Sequence, residues 1–152
     1  MIHSLDYEQH LLAGLIKYPN VYVEVAPFIS EQDFYDDSSL VNKTIFCVLK
    51  QALESGEILD EVILTQRVNS LGISLEDNLN VGDYIKALSM RKISEDSVIK
   101  TAKELKKISV RRGIYDASVN VAKKMKSIPD SVSYDEIINN AGQIYNDQIN
   151  TY

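Results

Sequence analysis

Apolar positions recur along this chain with helical spacing and almost nowhere in strict alternation. The longest such pattern runs from Ser94 to Met125, SEDSVIKTAKELKKISVRRGIYDASVNVAKKM. At 1.5 Å per residue it predicts a single helix of roughly 45–50 Å. Only Gly113 interrupts it, at a cost of about 1 kcal/mol relative to alanine. The second half is apolar on two sides. Val110, Ile114, Ala117, Val121 and Met125 form one stripe, and Ile108, Tyr115, Val119 and Ala122 form another, roughly opposite. One neighbouring helix covers one stripe, so the other calls for a second body.

Upstream, start and stop signals divide the chain into further helices. Ser4 is placed to cap a helix whose face is Leu5, Leu12, Leu15 and Ile16, with Leu11 beside it and Pro19 just past its end. Asn20 is expected to cap a short second helix, VYVEVAPFI, which Pro27 ends or kinks. Ser30 to Asp33 reads as a one-turn cap before Phe34 and Tyr35. Leu40, Val41, Thr44, Ile45, Val48, Leu49, Ala52 and Leu53 make a one-sided stripe that Gly56 stops. Asp60 to Leu71 continues as a fourth helix before Gly72, the stretch 73–80 is polar and irregular, and VGDYIKALSM is a short helix.

After the long helix, Pro129 marks a turn, and Ser133 with Glu136 forms a capping box. This opens a last helix with a stripe of Ile138, Ala141, Tyr145 and Ile149, flanked by Ile137 and Ile144. The expectation is an all-α chain. A compact helical head occupies residues 1–92, and a protruding helical hairpin occupies 93–150.

At 152 residues, 45% hydrophobic and 25% charged, the chain is long enough for a real core and too apolar to be disordered. The lone Cys47 excludes an internal disulfide framework and a cysteine zinc site, and its helical surroundings make it a small buried hydrophobe. No apolar run reaches the length of a membrane span. The opening MIHSLDYEQHLLAGLIKYP is no signal peptide, so a soluble intracellular protein is expected. Charge is unevenly distributed. Arg91 to Lys126 holds eleven Lys and Arg against four Asp and Glu, whereas the remainder holds five against eighteen. Such a chain is poorly placed to grip a phosphate backbone. Its basic ridge is better matched to the acidic face of another copy or partner, or to solvent.

Chemistry is largely missing from the pattern. The six glycines are scattered singly, and none opens a GxxxxGK[ST] phosphate cradle. His3 and His10 have no accompanying ligand set. The acidic pairs Asp36-Asp37 and Asp60-Glu61 sit where helix N-termini favour negative charge, and adjacent residues do not share a helix face. No nucleophile, base and orienting group can be assembled. The nine tyrosines lie mostly in the acidic part, apart from the basic residues, which fits half-buried or interface positions better than base stacking.

An ordered series of short pieces resembles the N-terminal domain of DnaB-type replicative DNA helicases. It comprises Ser4 to Gln9, Leu12 to Ile16 with Pro19, Glu31-Gln-Asp-Phe-Tyr35, and Ile45-Phe46. Gly56 to Asp60, Tyr84-Ile-Lys-Ala-Leu88 and Arg111-Arg112 follow in the same order. The resemblance extends over nearly the whole chain. It departs at Pro27, in the acidic head, and in the short 73–80 stretch that lacks the usual glycine pair, which points to a phage-encoded or divergent member.

The resemblance implies an all-α head plus a hairpin, with hairpins pairing into dimers and three dimers forming the collar of a hexameric ring. It further implies docking of primase and, in some systems, a helicase loader, in the cytoplasm of a bacterial cell, phage-infected cells included. ATP and magnesium would belong to a RecA-like motor further along the parent polypeptide, not to this piece. No enzyme activity, cofactor, metal or membrane contact is expected here, and DNA contact is expected to be weak or absent.

Pairing would run through Ile108, Ile114, Tyr115, Val119 and Ala122 of the long helix and Ile137, Ala141, Ile144 and Ile149 of the last. Tyr84, Arg111, Arg112, Lys123 and Lys124 are the candidates for partner or rim contacts. Which apolar stripe faces the second copy stays open at this level. Three alternatives also stand: an adaptor or inhibitor that mimics this domain, the similar helicase-binding domain of a primase, and direct DNA binding through the basic ridge.

Overall fold

The computed structural model describes residues 2–35, 40–73, 75 and 78–152, which form seven α-helices and no strand. These are α1 (Leu5–Lys17), α2 (Tyr22–Val25), α3 (Val41–Glu54), α4 (Glu61–Ser70), α5 (Val81–Ser89), α6 (Glu95–Lys126) and α7 (Tyr134–Ile149). The acidic pair Asp36-Asp37 lies outside the described residues.

Side-chain caps start most of them. The hydroxyls of Ser4, Ser94 and Ser133 and the side-chain oxygens of Asp60 and Asn80 each accept an N–H from the first turn behind them. Gly56 and Gly72 take the left-handed conformation where the α3 and α4 regions end, at φ of 73° and 65°. The second helix departs from expectation. Pro19, with its fixed φ, starts a 3-10 turn over Pro19–Val21, so α2 is only four residues long and Asn20 caps nothing.

The head closes around α6. Leu11, Leu12 and Leu15 of α1, Ile45, Phe46 and Leu49 of α3, Leu64 of α4 and Ile85 of α5 meet Val98, Ala102 and Leu105 of α6 in one core. The Phe34 and Phe46 rings lie 4.7 Å apart within it. Burying each large apolar side chain contributes about 1.5–3 kcal/mol, so α6 is a structural centre of the head. The expected border at 92/93 therefore cuts through the head's core, which reaches along α6 to Leu105. Gly14 makes the α1–α6 approach possible, because a Cβ there would run into the Cβ and both methyls of Val98.

Candidate functional site

Beyond Ser109, α6 leaves the core and continues through Gly113 without a break. A single glycine costs only about 1 kcal/mol, and this part of the helix also holds Arg111, Arg112, Ala117, Ala122 and four residues of high helix propensity from Lys123 to Lys126. Its footing is polar. Lys106 Nζ lies 3.2 Å from Oδ1 of Asp33, a fully buried carboxylate that also accepts the Ser30 N–H at 2.8 Å. One turn and a half further, Arg112 donates to the carbonyls of Ile2 (2.9 Å), Asp33 (3.3 Å) and Gln32 (3.4 Å), with its guanidinium 5.4 Å from the Tyr35 ring centre. Together these bonds fix where the hairpin emerges.

The last helix returns along one side of α6. Ala117 is 2% exposed, the Tyr145 hydroxyl donates to Ser118 Oγ at 3.2 Å, and the Tyr152 hydroxyl donates to the Ser109 carbonyl at 3.0 Å. Gly113 leaves room for the tips of Gln148 and Tyr152, which would meet a Cβ at that position. Lys106 lies 4.8 Å from the Tyr152 ring centre, and Gln32 donates to the Thr151 carbonyl, so the end of the hairpin rests on the head.

These contacts place the Val110–Met125 stripe on the α7 side, with Ala117 its only fully buried member. The other stripe faces away from α7. Tyr115 is 57% exposed and Ala122 is exposed, while Ile108 and Val119 are half-buried. Ile114, expected on the pairing surface, is also exposed. No residue of α7 is fully buried. Ile137, Ala141 and Ile144 are half-buried against α6, while Ile138 and Ile149 are exposed. Arg111, Lys123 and Lys124 are exposed along the hairpin.

Two expected contact residues are instead committed within the chain. Arg112 is the clamp just described, because the carbonyls of the 30–35 loop and of Ile2 converge on it. Tyr84 is half-buried and belongs to a network around Glu8, which is 2% exposed. Glu8 accepts the Tyr35 N–H at 3.0 Å and the Asn42 side-chain N–H at 3.1 Å, and Tyr84 donates to Asn42 Oδ1. Gln9 donates to the Tyr84 hydroxyl at 3.2 Å and accepts from Arg91, which also pairs with Asp6. Loss of water raises the Glu8 pKa, against which the Tyr35 and Asn42 bonds and the Arg112 charge act. Burial likewise raises the Cys47 thiol and, with Arg91, lowers His10, whose ring bonds Ser97 Oγ at 3.1 Å.

Sequence reasoning missed the Asp33–Lys106 and Glu8–Asn42 pairs, whose partners lie 73 and 34 residues apart. Only the Ser30–Asp33 capping pattern hinted that Asp33 has a fixed place. Among the described residues, no group of three or more His, Cys, Asp or Glu side chains could hold a metal ion, and no helix is long and apolar enough to cross a membrane.

The comparisons agree with this geometry. Residues 1–107 match the family described as the DnaB-like helicase N terminal domain, a span that ends inside α6 just past the head's core. The fold is similar to the crystal structure of the N-terminal domain of DnaB helicase from Mycobacterium tuberculosis, with a TM-score of 0.81 at 16% sequence identity. That superposition covers 95% of this chain and 97% of the other, hairpin included. No curated protein sequence matches the chain.

Proposed function

Since this chain belongs to the DnaB-like helicase N-terminal domain family, we propose that it is an oligomerisation and partner-docking domain of a replicative helicase. It works by pairing its hairpin with that of a second copy. The observation that carries this reading is the uncovered α6 stripe. Tyr115 and Ala122 stand out from a helix anchored by the head at one end and by α7 along the opposite side.

The energetics require more than one side chain. A buried tyrosine removes roughly 150–250 Å² from water, which at about 25 cal/mol per Å² gives several kcal/mol. Association costs about 4–15 kcal/mol in lost freedom. A pair of Tyr115 rings does not cover that alone. Ile108, Val119 and Ala122 of the same stripe supply further apolar area. Pairing of identical hairpins is isologous and yields a dimer, and three such dimers would make a hexameric collar.

In this reading the domain performs no chemistry. It orients motor domains carried elsewhere on the parent polypeptide, where ATP and magnesium would act. It also offers primase, and in some systems a loader, a surface made from two adjacent copies. The test is the molar mass in solution by light scattering over a concentration series. Tyr115→Asp should give a monomer with an unchanged melting temperature, whereas Ala117→Asp should lower the melting temperature by unseating α7. Wild type that stays monomeric throughout, or a Tyr115→Asp chain with wild-type mass, would refute hairpin pairing.

A further inference from the structure

The contacts that hold α6 fall on two sides of Gly113. On the head side, Lys106 pairs with the buried Asp33, Ser109 is buried, and Arg112 binds the carbonyls of Ile2, Gln32 and Asp33. On the far side, Ala117 is buried and Ser118 bonds Tyr145, so that half of α6 is tied to α7. Between them stands the one residue of α6 without a side chain. With no Cβ to limit its backbone, glycine is where a helix yields most easily.

Tyr152 crosses this weak turn. It is carried by the turn after α7, where its N–H bonds the Ile149 carbonyl at 3.2 Å. Its hydroxyl reaches back past Gly113 and donates to the Ser109 carbonyl at 3.0 Å, the group to which an α-helix also ties the Gly113 N–H. Its ring lies 4.8 Å from Lys106 Nζ, a cation–π distance. A methyl at Gly113 would run into the Tyr152 hydroxyl. The same glycine therefore weakens the helix and admits the side chain that bridges it. Other packing around the ring is sparse. It is 42% exposed, an open cavity of about 230 Å³ lies between it and the 26–32 loop, and the neighbouring Gln32–Thr151 bond is exposed.

We propose that Tyr152 is a positioning residue, a splint across Gly113 that fixes the direction in which the hairpin leaves the head. It joins α7, fixed to the outer half of α6, to the inner half that the head holds. Without it, α6 bends at Gly113. A kink of about 20° there carries Lys124, eleven residues or about 16 Å further along the helix, sideways by about 6 Å.

A dipolar distance measurement within single chains tests this role. Nitroxide labels go on Val62→Cys of the head and Lys124→Cys of the hairpin, both exposed positions, in a Cys47→Ser background. Dilution with unlabelled protein leaves only distances within one chain, so the result stands whether or not copies pair. With Tyr152 in place the distribution should be single and narrow. Tyr152→Ala should spread or shift it by up to about 6 Å. Tyr152→Phe keeps the ring beside Lys106 but not the bond to Ser109, and should spread it by less. Amide exchange in α1 and α3 should stay as slow as in wild type, because neither variant touches the head's core. Adding Gly113→Ala to Tyr152→Ala should narrow the distribution again, since the stiffer turn no longer needs the splint and the methyl no longer meets the ring.

A wild-type distribution in Tyr152→Ala or in Tyr152→Phe would overturn the proposal. Faster exchange in α1 and α3 would do the same, by making Tyr152 an ordinary part of the fold. A double variant as broad as Tyr152→Ala would place the bend away from Gly113 and overturn it too.

Discussion

Lys106 reaches from the middle of α6 to within 3.2 Å of Asp33, whose side chain has no exposed surface. The Lys106 side chain itself is 21% exposed, so the pair is only partly shielded from water. Removing the lysine leaves a buried carboxylate with the Ser30 N–H but no counter-charge. Breaking a buried pair in this way costs about 3–5 kcal/mol, and the partial exposure places Lys106→Met near the lower end, at about 3 kcal/mol. That corresponds to a fall in melting temperature of roughly 6–12 °C for a chain of this size. A double-mutant cycle with Asp33→Asn should give a coupling of about 1–3 kcal/mol. A coupling near zero would show that the two side chains act independently.

Two glycines on the same helical framework should respond in opposite ways to alanine. At Gly14 the new methyl meets the β-branched, fully buried Val98, which has no room to turn away. Overpacking of this kind costs about 1–3 kcal/mol, more than the helix-propensity gain of about 1 kcal/mol. At Gly113 the methyl meets only the far ends of Gln148 and Tyr152, which can move. Gly14→Ala should therefore lower the melting temperature by several degrees, and Gly113→Ala should leave it within a degree or two while loosening the chain end. Thermal unfolding with hydrogen exchange at residues 148–152 checks both. The reverse order would mean that the α1–α6 contact is less tight than described.

Glu8 sets a pH dependence of definite sign. Its folded pKa is raised, chiefly by burial, above the unfolded value of about 4.3. Its contribution is therefore fully present below that pH and is lost as pH rises through the raised folded value. The stability of wild type relative to Glu8→Gln should accordingly decline as pH rises from about 4 through the raised folded value. Urea unfolding of both proteins across that range measures the difference. A gap that stays constant with pH, or widens in favour of wild type, contradicts the burial of Glu8 in the α1–α3 network.

Much of this fold is legible in the sequence because its signals are local. Ser4, Asp60, Asn80, Ser94 and Ser133 bond N–H groups three residues on, and Gly56 and Gly72 mark stops by their own backbone geometry. The two-sided character of α6 is likewise a matter of spacing. What spacing does not reveal is which stripe α7 covers, because both are similar in hydrophobicity. Small residues decide it: Gly113 and Ala117 let α7 approach, and larger neighbours such as Ile114 are left outside. The roles of Arg112 and Tyr84 were hidden for another reason. Arg112 bonds the carbonyls of Ile2 and Gln32 and Tyr84 bonds Asn42, all partners distant in sequence.

The most direct test of hairpin pairing is a dipolar distance measurement between nitroxide labels at the exposed position of Ala122→Cys, in a Cys47→Ser background. A defined distance between labels on two chains is the predicted result. It should fade on dilution with unlabelled protein and vanish with Tyr115→Asp at unchanged melting temperature. A featureless background decay at every concentration, or a distance that survives Tyr115→Asp, would contradict it.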